Sequence, residues 1–223
     1  KNGIKVLVNN QRALKIISNK HNTYKILKKN GIDVPKFKLV NKTQDLIKSL
    51  KNFNYPYSPV VIKPNTGIGG RGVIILNGRK KKVQNWVGKG KREKVFNKIQ
   101  SNFSKKIFKY GPLLVTEVLG SPAYDIDSFF FDNKYLFSIR KRVNPSGIPY
   151  RGNYLIRNKK IENYCKKILK ILKINFLVDL DLLTLKKKPL LLEINPRPSG
   201  SIAMSYYANY PFFSYVIAKT LNK

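Results

Sequence analysis

The sequence predicts an α+β fold in which helices and antiparallel strands are mixed along the chain. Segments 124–131 and 135–143 are rich in aromatic and β-branched residues and flank the short turn Asp132-Asn133-Lys134, a pattern typical of a β-hairpin. Segment 161–172 instead carries apolar residues at helical spacing. The chain has 223 residues with 42% hydrophobic content, which is enough to bury a core of its own.

The charge balance is the most unusual feature of the composition. The chain has 45 Lys and Arg residues against 11 Asp and Glu residues, a formal net charge of +34. Such a charge attracts polyanions, including nucleic acid, through salt-dependent contacts that do not depend on sequence. The lysines are spread along the whole chain and form no single basic arm, which weighs against nucleic-acid binding as the main role. A non-catalytic basic protein that binds polyanions is kept as an alternative hypothesis.

Cysteine and histidine each occur once. The single Cys165 excludes a disulfide within the chain, and the single His21 excludes a histidine-based metal cluster. No apolar run approaches the roughly 20 residues of a membrane-spanning helix. We therefore expect a cytoplasmic protein without a membrane span. Cys165 shares a helical face with Ile161 and Ile168, which predicts a buried thiol and not a nucleophile.

The elements before residue 60 predict one strand followed by helices. Residues 4–8 form a short apolar strand, and residues 18–24 lead into a helix that Gly31 ends. Lys20 then lies at a helix start, where the helix dipole disfavours a cation unless an anion is bound. A solvated surface lysine is the alternative interpretation. Thr43 is expected to cap the next helix.

A glycine-rich loop follows the buried strand 59–64, which ends close to Lys63. The loop glycines are Gly67, Gly69, Gly70 and Gly72. Their spacing fits G-x-G-x-x-G, but a dinucleotide-binding loop would open a helix, whereas this one runs into the β-branched strand 73–76. Strand, glycine loop and strand predict a hairpin flap whose backbone amides can close over phosphates. A purely structural glycine turn is the alternative.

The last two strands are expected to place acidic residues side by side. Glu193 lies in the strand segment 189–194, and Asn195 follows directly after it. Because side chains alternate along a strand, the two share one face. Antiparallel pairing with segment 174–185 brings Asp179 or Asp181 close to Glu193.

Adjacent buried acids are costly without a cation between them. Carboxylate and amide oxygens followed by the guanidinium of Arg197 suit a magnesium ion that carries phosphate. An ordinary strand that leaves the sheet at a turn is the alternative. On the preceding hairpin, Arg140 and Arg142 share a face, as do Asp125 and Asp127.

In their order and spacing, these motifs resemble the ATP-grasp superfamily from Ser18 to the end of the chain. The motifs that carry the resemblance are Asn19-Lys20, Gly31-Ile-Asp-Val-Pro35, Val-Ile-Lys63-Pro with the flap, Thr-Glu117-Val-Leu-Gly120, Asp127 and Glu193-Ile-Asn195-Pro-Arg197. The last of them is most similar to the carbamoyl-phosphate-synthase-like branch and its amino-acid ligase relatives.

The resemblance implies an ATP-grasp fold, in which two α+β lobes hold the nucleotide between them. It divides the chain into a remnant of a preceding domain with its linker, a small lobe with the flap and a large lobe with the metal site. The corresponding residues are 1–17, 18–112 and 113–223. The family's N-terminal α/β domain is expected to be largely missing, except for its last strand at residues 4–8. The chain is then a fragment, a naturally shortened enzyme or one half of a complex, in which a homo-oligomer or a partner subunit would supply that domain.

The resemblance also implies which groups bind ATP and Mg²⁺ (or Mn²⁺). Lys20, Lys63 and the amides of Gly67 to Gly72 would contact the phosphates, and the backbone of Glu117, Val118 and Leu119 would meet adenine. Asp181, favoured over Asp179, would hold the metal together with Glu193 and Asn195. Arg140, Arg142 and Arg197 would steady the transferred phosphoryl group. Ala123 stands where the family usually has a glutamate for the ribose.

Such enzymes phosphorylate a substrate carboxylate with ATP and then let an amine or a similar nucleophile displace the phosphate. The resemblance therefore implies an ATP- and Mg²⁺-dependent carboxylate-amine ligase with small-molecule acid and amine substrates. A carbamoyl-phosphate-synthase-like subunit that needs a partner chain is the alternative within the superfamily. The chemistry is largely positioning and charge neutralisation, which explains lysines and arginines without a histidine base.

Overall fold

The structure is a computed structural model that describes residues 8–67, 72–77, 93–94, 107–144 and 152–221. Its helices and strands are mixed along the chain, which confirms the predicted α+β class. Residues 4–7 of the predicted first strand and the flap glycines Gly69 and Gly70 lie outside the described ranges. Within those ranges, no helix has the length and apolar character needed to cross a bilayer.

Asparagine side chains cap three of the helices. Asn10 accepts the backbone N–H of Ala13 at the start of α1, and Asn19 accepts that of Asn22 at the start of α2. Asn158 does the same for α4. Each cap satisfies a backbone donor that the helix itself leaves unpaired. The helices are α1 Gln11–Ile17, α2 Lys20–Lys29, α3 Thr43–Asn52, α4 Lys159–Ile171, α5 Ala203–Tyr207 and α6 Phe212–Thr220.

The first sheet has the strand order β1-β5-β2-β3-β4, and its pairs are antiparallel except for β3 with β4. Its strands are β1 Phe37–Val40, β2 Val60–Pro64, β3 Ile74–Leu76, β4 Glu93–Lys94 and β5 Leu113–Glu117. β5, which follows the predicted lobe boundary after residue 112, pairs with β1 on one side and β2 on the other. The division into lobes stays a prediction. An apolar run such as Leu-Leu-Val suits a central strand that is covered on both faces.

The second sheet has the strand order β10-β9-β6-β7-β8, and all of its pairs are antiparallel. Its strands are β6 Gly120–Phe131, β7 Lys134–Arg142, β8 Asn153–Ile156, β9 Val178–Leu185 and β10 Lys188–Asn195. The two predicted pairings, of β6 with β7 and of β9 with β10, are confirmed. The short connection from β5 to β6 through Val118 and Leu119 joins the two sheets.

The main hydrophobic core lies on one face of the second sheet. Helices α1, α2 and α4 pack there through residues such as Ala13, Leu27 and Ile168. Helix α1, in the predicted remnant, and helix α2, in the predicted small lobe, both bury their apolar faces in the core of the second sheet. A separate core lies between the first sheet and α3.

Cys165 lies in the main core with 0% of its surface exposed, as predicted. Burial, aided by the nearby charge of Glu162, raises the pKa of its thiol far above the ordinary value. We expect a thiol reagent to modify Cys165 at least about 10³-fold more slowly in the native protein than in denaturant, because modification then requires unfolding. Labelling followed by mass spectrometry measures this, and rapid modification of the native protein would contradict the burial.

Candidate functional site

The ends of β9 and β10 bring acidic and amide groups together. Glu193 lies opposite Asp181, and Asn195 lies opposite Asp179. The amide nitrogen of Asn195 lies 3.2 Å from an oxygen of Asp179 and 3.4 Å from one of Asp181, as a hydrogen-bond donor to both. The predicted approach of these two strands' polar side chains is confirmed.

A β-bulge at Leu192 decides which way Glu193 points. The register of β10 against β9 shifts between Leu191 and Glu193, which leaves Leu192 as the extra residue. Leu191 and Ile194 both pack in the main core, although they are three positions apart. Since side chains in a regular strand alternate, only the bulge allows both to face the core. It thereby turns Glu193 and Asn195 to the face that also carries Asp179 and Asp181.

Two of the predicted arginines contact these acids. Arg142 donates to Asp181 at 3.0 Å and also binds Asp125 through two of its nitrogens. Arg197 donates to Asp179 at 3.2 Å. Arg142 and Arg197, which are expected to stabilise a phosphoryl group, therefore lie at the site, and each donates hydrogen bonds to a carboxylate.

Arg140 lies in a buried network beside the acids. Its side chain is 0% exposed, and its guanidinium pairs with the equally buried Asp127. Its other partners are the hydroxyls of four serines, together with one backbone carbonyl. Those serines are Ser138, Ser199, Ser201 and Ser205. Arg140 thus fixes the segment after β10, and its contact with a phosphoryl group stays a prediction.

Both predicted phosphate lysines lie near Glu193: Lys20 forms an ion pair with it, and Lys63 interacts with its charge. Lys20, at the start of α2 as predicted, lies 3.5 Å from a carboxylate oxygen of Glu193. Its ammonium also donates to the carbonyl of Gly67 at 3.0 Å, at the near end of the flap. Lys63 is only 4% exposed and donates to the hydroxyl of Tyr24 at 3.3 Å. Burial lowers the pKa of Lys63 to about 8, with Glu193 opposing the shift and Lys20 adding to it.

The flap and the connection between the sheets carry the remaining predicted groups. Gly67 and Gly72 have φ angles of +138° and +72°, which favour glycine. The carboxylate of Glu117 accepts the backbone N–H of Lys36 at 2.6 Å, so this side chain holds β5 to the segment before β1. Ala123, in place of the family's ribose glutamate, is buried in a small apolar cluster with Leu119.

Burial and neighbouring charges shift the pKa values of the acids of the site. Burial, followed by repulsion from Asp127 and Asp125, raises the pKa of Asp179 to about 8. Burial and the charge of Asp179 raise the pKa of Asp181 well above its ordinary value. Burial acts in the same direction on Asp125, but the hydrogen bonds and charge of Arg142 outweigh it and lower the pKa. Asp179 and Asp181 therefore favour an additional proton or cation.

One oxygen of Asp179 is a candidate ligand for such a cation. Its Oδ1 is buried and has no hydrogen-bond partner among the described residues. Across the described ranges, no group of three or more His, Cys, Asp and Glu side chains is arranged to hold a metal ion. The predicted set of Asp181, Glu193 and Asn195 has two carboxylates and one amide, so phosphate and water oxygens would have to complete a magnesium shell.

Sequence reasoning missed three parts of this site. The sequence assigns no role to Tyr24, to Ser199 or to Ser201, and it does not predict the bulge at Leu192. The serines stand in the Pro-Ser-Gly-Ser run after Arg197, but such a run is ordinary turn composition and gives no signal. Tyr24 gives none either, because its partners are distant in sequence.

Comparison with known proteins relates these motifs to two families. Residues 109–223 match a family described as ATP-grasp in the biosynthetic pathway with Ter operon. Residues 3–109 match a family described as sugar-transfer associated ATP-grasp. None of the curated proteins matches the chain in sequence.

Solved structures share the fold. D-alanine-D-alanine ligase from Helicobacter pylori is 20% identical with a TM-score of 0.65, over 97% of this chain and 61% of that one. D-alanine-D-alanine ligase from Bacillus anthracis complexed with ATP is 18% identical with a TM-score of 0.66, over 99% of this chain and 71% of that one. N5-carboxyaminoimidazole synthetase from Staphylococcus aureus complexed with ADP is 16% identical with a TM-score of 0.71, over 95% of this chain and 53% of that one. The chain thus spans less than two thirds of the Helicobacter pylori ligase.

Proposed function

We propose that this chain, which belongs to the ATP-grasp superfamily, is a ligase that uses ATP and Mg²⁺ to activate a carboxylate for attack by an amine. The observation that carries the proposal is the contact of Lys20 with both Glu193 and the flap residue Gly67, at the strand position where Glu193 pairs with Asp181. Lys63 lies near enough to interact with the charge of Glu193. Cations and hard oxygen ligands at one place suit a metal-bound triphosphate. The similar solved structures include two ligases and a synthetase, of which one is bound to ATP and another to ADP.

The residues present fit a magnesium ion. Asp179 offers an unpartnered buried oxygen, and the raised pKa values of Asp179 and Asp181 show a demand for positive charge. Asp181, Glu193 and Asn195 would hold the ion, with Asp179 as a further candidate. When bound, the ion would neutralise charge on the phosphate oxygens.

The chain's own side chains would carry out the remaining work of positioning. Lys20 and Lys63 would bind the phosphates, and Arg142 and Arg197 would stabilise the negative charge of the transferred group. A carboxylate oxygen of the acid would attack the terminal phosphorus and release ADP. An amine would then attack the acyl carbon and release phosphate. The backbone of Glu117, Val118 and Leu119, between the two sheets, would receive adenine.

We expect Lys63→Met to weaken ADP binding in the presence of Mg²⁺ by about ten- to a hundredfold. Lys63 is buried at the site, and a hydrogen bond to a charged group contributes roughly 1.5–3 kcal/mol. Titration calorimetry with ADP and Mg²⁺ measures the affinity.

Lys25→Met, at an exposed position on α2, is the matched control because it makes the same charge change away from the site. If both variants lose affinity equally, and binding falls steeply with salt, the chain binds nucleotide only as a polyanion. If the unmodified protein binds no ADP with Mg²⁺, and releases no ADP from ATP with any of a panel of amino acids, the proposed function is wrong.

A further inference from the structure

We propose that Tyr24 is a positioning residue that couples the phosphate lysine Lys63 to the bulge that aims Glu193. This inference rests on the proposed function, since it assigns to Tyr24 the spacing between a phosphate-binding group and a metal-binding group. Tyr24 is 1% exposed, lies on α2 and packs edge-on against Phe37 of β1 at 5.4 Å between ring centroids. Its hydroxyl reaches both sheets at once.

The first contact is to the bulge. The Tyr24 hydroxyl donates to the backbone carbonyl of Leu192 at 2.6 Å. Leu192 is the extra residue of β10, and it has no partner across the ladder to β9. A bulge leaves its extra residue outside the regular ladder, so a side-chain bond to that residue's carbonyl holds the bulge in place. Since the bulge puts Glu193 on the face of the acids, this bond acts on the direction of Glu193.

The second contact is to the lysine. The same hydroxyl accepts the ammonium of Lys63 at 3.3 Å, and that ammonium lies 5.4 Å from the centre of the Tyr24 ring. A buried ammonium group is costly unless polar or π groups surround it. The Tyr24 hydroxyl supplies a polar group, and its ring supplies a π group. Lys63 is thereby held by a residue of α2 that also holds β10.

One oxygen atom therefore sets the separation between the Lys63 ammonium on the first sheet and the Glu193 backbone on the second. In the proposed function these groups bind the same metal-phosphate complex from two sides. A tyrosine with only a packing role would support stability alone. A positioning tyrosine also supports the part of nucleotide affinity that depends on Mg²⁺.

The test is Tyr24→Phe, which removes the hydroxyl and keeps the ring. The measured quantity is the ADP dissociation constant without metal, in EDTA, divided by that with Mg²⁺. We expect this ratio to fall by about tenfold, the lower end of the loss seen when residues that orient metal ligands are changed. The metal-free constant should change far less, because Lys63 keeps its charge.

Tyr164→Phe is the matched control. The Tyr164 hydroxyl accepts the backbone N–H of Leu191 at 3.0 Å and donates to the carbonyl of Asp33 at 2.7 Å. It thus supports the same strand one residue before the bulge, without a recorded contact to Lys63. We expect Tyr164→Phe to lower the melting temperature comparably and to leave the ratio unchanged. A ratio that falls equally in both variants, or in neither, overturns the inference.

The outcomes separate the two proposals. If the unmodified protein shows Mg²⁺-dependent ADP binding and Tyr24→Phe keeps the full ratio, only the role of Tyr24 is wrong. If the unmodified protein shows no such binding, both are wrong. A measurement without substitution covers the case of a poorly folded variant. The Leu192 carbonyl that Tyr24 binds belongs to the same peptide group as the Glu193 amide, so MgADP should slow hydrogen exchange at that amide and leave Leu183, on the neighbouring strand, unchanged. Bound MgADP without slower exchange at Glu193 overturns the inference.

Discussion

Arg140→Met is expected to lower the free energy of unfolding by about 3–5 kcal/mol, the usual cost of removing one partner of a buried ion pair. The change leaves the carboxylate of Asp127 in a site that is 0% exposed, with only the backbone N–H and hydroxyl of Ser199 as recorded donors. Burial already raises the pKa of Asp127 against the opposing charge of Arg140. Without that charge, Asp127 would take up a proton or the segment after β10 would detach. Urea unfolding followed by circular dichroism measures the loss.

Lys141→Met is the control for this prediction, because Lys141 is the exposed neighbour of Arg140 on β7. Its effect should stay within about 0.5 kcal/mol, as for ordinary surface substitutions. A loss of under about 1 kcal/mol for Arg140→Met would show that the serine network has little energetic weight. Such a small loss would favour the predicted role of Arg140 as a contact to the transferred phosphoryl group.

Glu193→Gln is expected to abolish most of the gain in ADP affinity that Mg²⁺ provides. Couplings between two bound ligands typically amount to about 5–150-fold, and we expect the ratio of metal-free to Mg²⁺-loaded dissociation constants to fall from that range to near 1. The substitution keeps the shape of the side chain and removes the charged ligand. Titration calorimetry in EDTA and in Mg²⁺ gives both constants.

The direction in which Glu193→Gln changes the metal-free ADP dissociation constant makes this prediction specific. In the structure Lys20 is occupied by Glu193 at 3.5 Å, so a phosphate must compete with that carboxylate. Glu193→Gln releases Lys20 and should leave metal-free ADP binding as tight as before or tighter. Glu162→Gln makes the same charge change at a surface pair with Lys159 and should alter neither constant. Weaker metal-free binding in Glu193→Gln would contradict the assigned competition.

Features that depend on local pattern could be predicted from the sequence. The hairpin of β6 and β7 follows from two apolar runs around a three-residue turn, and the helix start at Lys20 follows from Asn19 before a helical pattern. The approach of Glu193 to Asp179 or Asp181 follows from antiparallel geometry, but its pairing with Asp181 requires the bulge at Leu192. Each of these needs only residues that are near in sequence or adjacent along a hairpin.

Features that depend on distant contacts could not be predicted. The membership of β5 in the first sheet is set by its pairing with β1 and β2, which local periodicity does not encode. The burial of Arg140 depends on serines more than 50 residues away, so its strand position alone does not predict it. Tyr24 links residues 39 and 168 positions from it, and no pattern in α2 distinguishes it from a core tyrosine.

The site depends on how β10 accommodates Leu192 as well as on which residues follow it. A strand that kept Leu192 without the bulge would place Glu193 opposite Leu180 and carry Glu193 and Asn195 to the face that buries Leu191, inside the apolar core. Deleting Leu192 would instead give a regular strand in which Glu193 still lies opposite Asp181. In sequence alignments, a one-residue gap at this position is therefore compatible with an intact site, whereas retention of every motif letter does not guarantee one.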